Sequence, residues 1–326
     1  MYMMRPADIL DRFQTYLDGL DIPFEPEGLY APVRYALSLG GKRMRPLLMA
    51  LAYNLYKEDV ECCFDAACGI EIFHNFTLLH DDVMDRAEMR RGMPAVHVRW
   101  NENTAILSGD VMLVLAYKCL GHVPEKYLGE VMEVAGEAFI GVHEGQQLDM
   151  DFESRNDVTI PEYMEMIRLK TSVLPAAALR IGAIIGGAPE SDAKALYGFG
   201  EKMGLAFQLR DDLLDVYGDT KVFGKRIGGD ILCNKKTFLY IMARELAGDE
   251  HNAALDRWAE YDGPDEQAKI SAVTSIYNEL GVRGRCEGKI DELYREALSL
   301  LDKVSLPAER LATLRDYACS LIDRQL

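Results

Sequence analysis

Two segments of this 326-residue chain carry the same acidic pattern. Asp81-Asp82-Val83-Met84-Asp85 and Asp211-Asp212-Leu213-Leu214-Asp215 both read D-D-x-x-D, and each follows an apolar stretch with helical spacing. Residues i and i+4 share one face of a helix, so Asp81 points with Asp85 and Asp211 with Asp215. Like charges at that spacing repel, and a cation between them removes the cost. Carboxylate oxygens are hard ligands suited to Mg²⁺, which takes one or two carboxylates and completes its octahedron with water and substrate phosphates. Two such pairs facing each other in a bundle would hold a cluster of Mg²⁺ ions around one diphosphate. One D-D-x-x-D by itself equally suits a solvated acidic patch at a helix end. Two copies, each beside a long apolar segment, favour the metal reading.

A diphosphate also needs fixed positive charge. Gly40-Gly41-Lys42-Arg43-Met44-Arg45-Pro46 supplies three cations in four residues. The glycines are expected to end one helix and Pro46 to occupy the first position of the next, placing the cations beside a helix N-terminus, where anions bind. Arg90-Arg91-Gly92 follows the first acidic motif, and the arginine fork matches phosphate oxygens. Lys225 and Lys235-Lys236 follow the second, and Lys170-Thr171 lies between the two. Any one of these alone reads as an ordinary surface cation; their placement beside turns and acidic motifs sets them apart. His74 precedes Asp81 by seven residues, roughly 10 Å along a helix. It suits either a phosphate donor or a packed histidine with one satisfied nitrogen. His80 is expected to pack.

The elements that must position these groups read as helices almost throughout, with Ala, Leu, Glu, Lys and Met at spacings of three and four and Gly or Pro clusters between them. Helices joined by short connections predict an all-α bundle, here a single domain over residues 1–326. The polar stretch from Ala247 to Gln267 is expected to be a surface excursion. The net charge of −17 excludes general attraction to nucleic acid. Seven cysteines without CxxC or zinc-type spacing, and no signal-like start, predict a reduced, cytoplasmic setting. No apolar run reaches about 18 residues, so no transmembrane segment is expected. G-x-G-x-x-G, H-E-x-x-H and G-x-S-x-G are absent, and Gly218 to Arg226 departs from a P-loop in length and in its last residue.

In combination these motifs resemble the short-chain trans-isoprenyl diphosphate synthases, or polyprenyl synthetases. The resemblance rests on Gly40 to Pro46, Glu71 to Asp85 with Arg90-Arg91-Gly92, Gly145-Gln146-Gln147-Leu148-Asp149, Lys170-Thr171, Gln208 to Asp215 and Phe223 to Thr237, in the family's order. It implies the isoprenoid synthase fold, an antiparallel helical bundle around a deep central cavity, and a homodimer. It implies Mg²⁺, three ions per active site, bound by Asp81, Asp85 and Asp211 with Asp82, Asp212 and Asp215 in support. Lys42, Arg45, His74 and Arg91 would hold isopentenyl diphosphate. Arg90, Lys170, Thr171, Gln208, Lys225 and Lys235 would hold the allylic diphosphate, with Lys170 and Lys225 also counted as catalytic. Some relatives carry Lys where this chain has Gly229, which leaves Lys225 and Lys235 as the main cations there. The implied reaction is ionisation of the allylic diphosphate, condensation with isopentenyl diphosphate and loss of a proton.

The residues five and four before the first aspartate, Phe76 and Thr77, would limit chain growth, as in synthases making C15 or C20 products, with C20 favoured. Two other readings differ in kind. A class I terpene cyclase shares the bundle and the first acidic motif, and the Lys42/Arg45 site and the second motif speak against it. A non-catalytic regulatory subunit would be expected to have lost cations or aspartates, all of which are present here.

Overall fold

A computed structural model describes residues 3–218 and 227–322. The chain divides into two compact units. The first comprises Met1–Phe139, Leu174–Tyr197 and Val304–Leu314, and the second Ile140–Val173, Gly198–Lys303 and Arg315–Leu326.

The first unit opens with α1 (Pro6–Asp18), α2 (Glu27–Ser38) and α3 (Met44–Asn54), followed by α4 (Phe64–Met84). Helix α4 is apolar on nearly every side and buries residues from Phe64 to Phe76 with few gaps; a helix of that kind must be enclosed by others. It packs along α6 (Glu102–Leu120) and against α3. Phe13 meets Phe64 edge-on, and Phe73 stacks on Phe139 with ring centroids 3.6 Å apart. Asn101 caps α6 by accepting from the Thr104 N–H at 2.8 Å, satisfying one of the first-turn donors. Pro46 is the third residue of α3 rather than the first. That position is tolerated because the first-turn N–H groups have no partner within the helix.

Between α4 and α5 (Val96–Arg99) lies a two-residue hairpin that the helical reading does not contain. Strands β1 (Met89–Arg90) and β2 (Met93–Pro94) pair antiparallel, Met89 with Pro94 and Arg90 with Met93. Its central residues Arg91 and Gly92 have φ of 53° and 77°, as a tight hairpin turn requires.

In the second unit, residues 140–153 close α7 (Glu125–Glu153), and α8 (Ile160–Ile167) starts on a capping box of Thr159 and Glu162. Arg168–Ser172 forms a π-helical turn before α9 (Val173–Gly186). Helix α10 (Glu190–Tyr217) carries the second acidic motif. The helices Phe238–Leu246, Glu266–Glu279 and Val282–Leu301 follow, with Leu239, Tyr277, Ile290 and Leu293 in the core. The stretch read as a surface excursion contains the helix Asp249–Ala259, anchored by buried Leu255.

Two helical stretches, Glu102–Leu120 and Ile160–Gly186, are long and apolar enough to cross a membrane by length and composition, where the sequence reading expects none. Their hydropathy averages over interspersed polar residues such as Asp110, Lys118, Lys170 and Arg180, which break any continuous apolar run. The apolar window is 78% buried in the second and 39% buried in the first.

Candidate active site

The first acidic motif closes α4. Asp85 is the C-cap residue, and its N–H donates to the Asp81 carbonyl at 2.8 Å. Three aspartates thus stand at the end of a helix where unpaired carbonyls already make the potential negative. Charge there calls for a cation. Asp81 is half-buried and Asp85 exposed, while Asp82 is buried and takes a two-pronged ion pair from Arg90. Arg90 is therefore fixed beside the motif by its middle carboxylate.

The next residue, Arg91, turns the other way and donates to the Gly40 carbonyl. Its guanidinium lies against Gly41, where a Cβ would come within 2.7 Å of Cζ and where φ is 132°. That backbone favours glycine, and an added Cβ would push the Arg91 guanidinium aside. Two residues on, Arg43 adopts a left-handed backbone with φ of 45°. Its guanidinium is buried and donates to Glu71 Oε1 at 2.7 Å, to the Leu37 carbonyl at 2.7 Å and to Gln14 Oε1 at 3.2 Å. The Arg43–Glu71 pair is 4% and 3% exposed. It pins the turn that carries Lys42 and leads into Arg45, the second residue of α3.

Burial brings the Arg45 guanidinium down to about 10, a shift that Glu71 opposes and Arg91 reinforces. His74 is held well below the ordinary imidazole range, first by burial and then by Arg45, Arg91, Arg90 and Arg43. A neutral ring among four guanidiniums can donate one hydrogen bond to an anion without adding charge. The structure thus brings Arg45, His74, Arg90 and Arg91 into one field, with exposed Lys42 on the turn before α3. Phe76 is buried and meets Phe73 and the edge of His80 at 5.6 and 4.7 Å. The Thr77 hydroxyl donates to the His74 carbonyl at 2.8 Å, so its polarity is spent on the helix. His80 packs against Gly109, with Nε2 3.1 Å from the Ile106 carbonyl.

In the second unit, Asp211, Asp212 and Asp215 occupy the last two turns of α10, again at the negative helix end. Asp212 is buried; it accepts from the Tyr163 hydroxyl and from Gln208 Nε2 at 3.0 Å. Burial, and then Asp230, push its carboxyl up to about 7. Gln208 Oε1 in turn accepts from the Thr171 hydroxyl at 3.1 Å. Asp215 Oδ2 accepts from the Asp230 N–H at 3.0 Å. Lys170 and Thr171 stand on the π-helical turn, a deformation frequent at functional sites. Lys170 Nζ is 2.5 Å from Asp149 Oδ2, and Lys235 Nζ is 4.0 Å from the same oxygen. Burial favours a neutral Asp149, yet Lys235 and Lys170 hold its carboxyl below the usual range. Gly145 permits this meeting, since a Cβ there would lie 2.3 Å from the Lys170 nitrogen. Lys225 lies outside the described residues.

Among the described residues no group of three or more His, Cys, Asp or Glu side chains is placed to hold a metal ion. Open sites of one or two carboxylates suit Mg²⁺, whose remaining ligands are water and phosphate, and both aspartate motifs supply hard oxygen donors of that kind.

A model of the polyprenyl synthetase family matches residues 26–279. The chain belongs to the polyprenyl synthetase family. This polyprenyl synthetase is 46% identical over 223 residues to the geranylgeranyl diphosphate synthase of Methanosarcina mazei, covering 68% of each chain. A solved geranylgeranyl pyrophosphate synthase shares 40% identity at a TM-score of 0.95, over 99% of this chain and 100% of that one. The Corynebacterium glutamicum geranylgeranyl pyrophosphate synthase, solved with isoprenyl diphosphate and magnesium, shares 30% identity at a TM-score of 0.85, over 98% of both chains. The all-α fold of this polyprenyl synthetase is accordingly that of the isoprenoid synthases.

Sequence reasoning leaves Asp149, Tyr163 and the Arg43–Glu71 pair without roles in this polyprenyl synthetase. The signals were present: Glu71 is a carboxylate inside an apolar run, and Asp149 closes the Gly145 to Asp149 motif.

Proposed function

We propose that this protein condenses isopentenyl diphosphate with an allylic diphosphate to give an all-trans C20 prenyl diphosphate. One observation carries the reading: both D-D-x-x-D motifs end helices, each with fixed cations in its own unit, Arg90 bonded to Asp82 in one and Lys170 and Lys235 sharing Asp149 in the other. It is supported by the geranylgeranyl synthases among the relatives.

Asp81, Asp85 and Asp211 would hold Mg²⁺, three ions in this reading, which when bound would neutralise charge on the departing diphosphate. Arg90, Lys170, Lys225 and Lys235 hold that diphosphate, and Thr171 and Gln208 orient it. Lys42, Arg45, His74 and Arg91 hold isopentenyl diphosphate. Asp82, Asp149 and Asp212 keep these donors in place before substrate arrives, so little reorganisation is required as charge develops. The C–O electron pair leaves with the diphosphate. The double bond of the second substrate attacks the allylic carbon, and a proton then departs to the released diphosphate. Phe76 and its aromatic neighbours exclude water, which would quench the cation.

The test supplies purified protein with labelled isopentenyl diphosphate and dimethylallyl, geranyl or farnesyl diphosphate, with Mg²⁺ or with chelator. A C20 diphosphate that vanishes with chelator is expected. A hydrocarbon formed without uptake of label would establish a cyclase, and inactivity of the chain alone a regulatory subunit. In the same assay Phe76→Ala is expected to shift the main product beyond C20; an unchanged distribution removes Phe76 as the length limit.

The assembly is a homodimer in this reading. Val98, Ile106, Leu107 and Val114 of the first unit are 44–65% exposed, and exposed apolar side chains that gather into a patch mark an interface. Leu107→Glu is expected to halve the mass seen by analytical ultracentrifugation. A wild type that already sediments as a monomer would refute the dimer. Seven unpaired thiols support a reducing, cytoplasmic setting.

A further inference from the structure

Lys269 belongs to the helix Glu266–Glu279 and is only 4% exposed. A buried ammonium is ordinarily paired with a carboxylate, because desolvating an isolated charge is costly. Lys269 instead has two neutral partners: its Nζ donates to Asn234 Oδ1 at 2.9 Å and to the Leu232 carbonyl at 3.4 Å. Burial accordingly lowers its pKa. A costly group retained on neutral acceptors calls for an account of what those acceptors hold.

Asn234 stands in the left-handed region with φ of 53°, which asparagine tolerates better than most residues. Its Nδ2 donates to the Ala259 carbonyl at 2.9 Å, and its own carbonyl accepts from Lys236 Nζ at 3.2 Å. The residue that follows is Lys235. Its N–H donates to the Asp230 carbonyl at 2.9 Å, its carbonyl accepts from the Thr237 N–H at 2.9 Å, and its Nζ reaches toward Asp149 beside Lys170. The turn borders a small cleft lined by Asp230, Asn234, Lys235, Tyr240, Trp258 and Lys269.

We infer that Lys269 is a positioning residue: by gripping Asn234 it locks the backbone between Asp230 and Thr237 and so aims Lys235 at the allylic diphosphate. The inference rests on the proposed prenyl transfer and concerns a residue outside every acidic or cationic motif of the sequence.

Lys269→Met retains the length and burial of the side chain and removes the grip. The expected result is a roughly tenfold rise in KM for the allylic diphosphate, the size of one lost hydrogen bond to a charged group. KM for isopentenyl diphosphate and the melting temperature should hardly move. Asn234→Ala, which also removes the bond to the Ala259 carbonyl, should raise the allylic KM at least as far as Lys269→Met, and the double variant should be no worse than Asn234→Ala, as expected of residues acting as one unit. An unchanged allylic KM in Lys269→Met, or an equal rise in both KM values, overturns the inference. If Lys269→Met does not fold, Lys269→Gln takes its place. Amide exchange over residues 230–237 separates the two readings: faster exchange in the variant upholds the clamp even in a protein that incorporates no isopentenyl diphosphate, and unchanged exchange refutes it.

Discussion

Replacing Asp81 or Asp211 with alanine is expected to lower kcat by about 10³-fold or more, the scale set by removing one preorganised group that stabilises developing charge. The fold should survive. Each aspartate lies near the negative end of a helix beside other carboxylates, where its charge does not favour the helix. Far-ultraviolet circular dichroism should be unchanged, and the metal-free variants should melt close to the wild-type temperature. In wild type, excess Mg²⁺ with inorganic diphosphate should raise the melting temperature, since a ligand bound only by the native state stabilises it; in the variants that rise should shrink. Near-wild-type turnover in both would remove the metal assignment.

Glu71→Gln is expected to destabilise the fold by about 3–5 kcal/mol, the usual cost of leaving one partner of a buried ion pair uncompensated. Glu71 is the carboxylate bonded to buried Arg43, and it also offsets Arg45 and Arg91. Without its charge, Arg43 keeps the Leu37 and Gln14 acceptors but no anion. Urea unfolding should read the loss as a lower midpoint at a constant slope. Replacing both members with apolar residues of similar volume should recover much of the stability, because the desolvation cost disappears with the charges. That double variant should still bind isopentenyl diphosphate poorly, since the turn that carries Lys42 and enters α3 before Arg45 would be unpinned. A change under 1 kcal/mol in Glu71→Gln would refute the role of the pair.

The aspartate motifs were legible because their chemistry is local: five residues on one helix show both the repulsion and the ligand type. The helical character of α4 and α10 was legible from periodicity for the same reason. What supports the motifs was less so. Glu71 meets Arg43 across 28 residues, Asp149 meets Lys170 across 21, and Tyr163 meets Asp212 across 49. Such pairings are set by how helices pack, and periodicity does not encode packing. The helix Asp249–Ala259 escaped notice because Leu255 is its single buried residue, too little to make an apolar stripe. The hairpin at Arg90 to Pro94 is carried by two residues per strand, below the length at which alternation can be seen.

The π-helical turn bears on how this protein can change. Across it the ladder runs to the fifth residue back, and the Ser172 hydroxyl donates to the Ile167 carbonyl at 3.3 Å. The wider turn accommodates one residue more than a regular coil would. Tyr163, Met166 and Ile167 before it, Ser172 at its end and Val173 after it all remain buried, while Lys170 and Thr171 are only half-buried. Excising one residue would return the coil to its usual winding and rotate Lys170 away from Asp149. Local comfort and possession of these two side chains are therefore in opposition, and drift toward a smoother coil would exact its toll in chemistry.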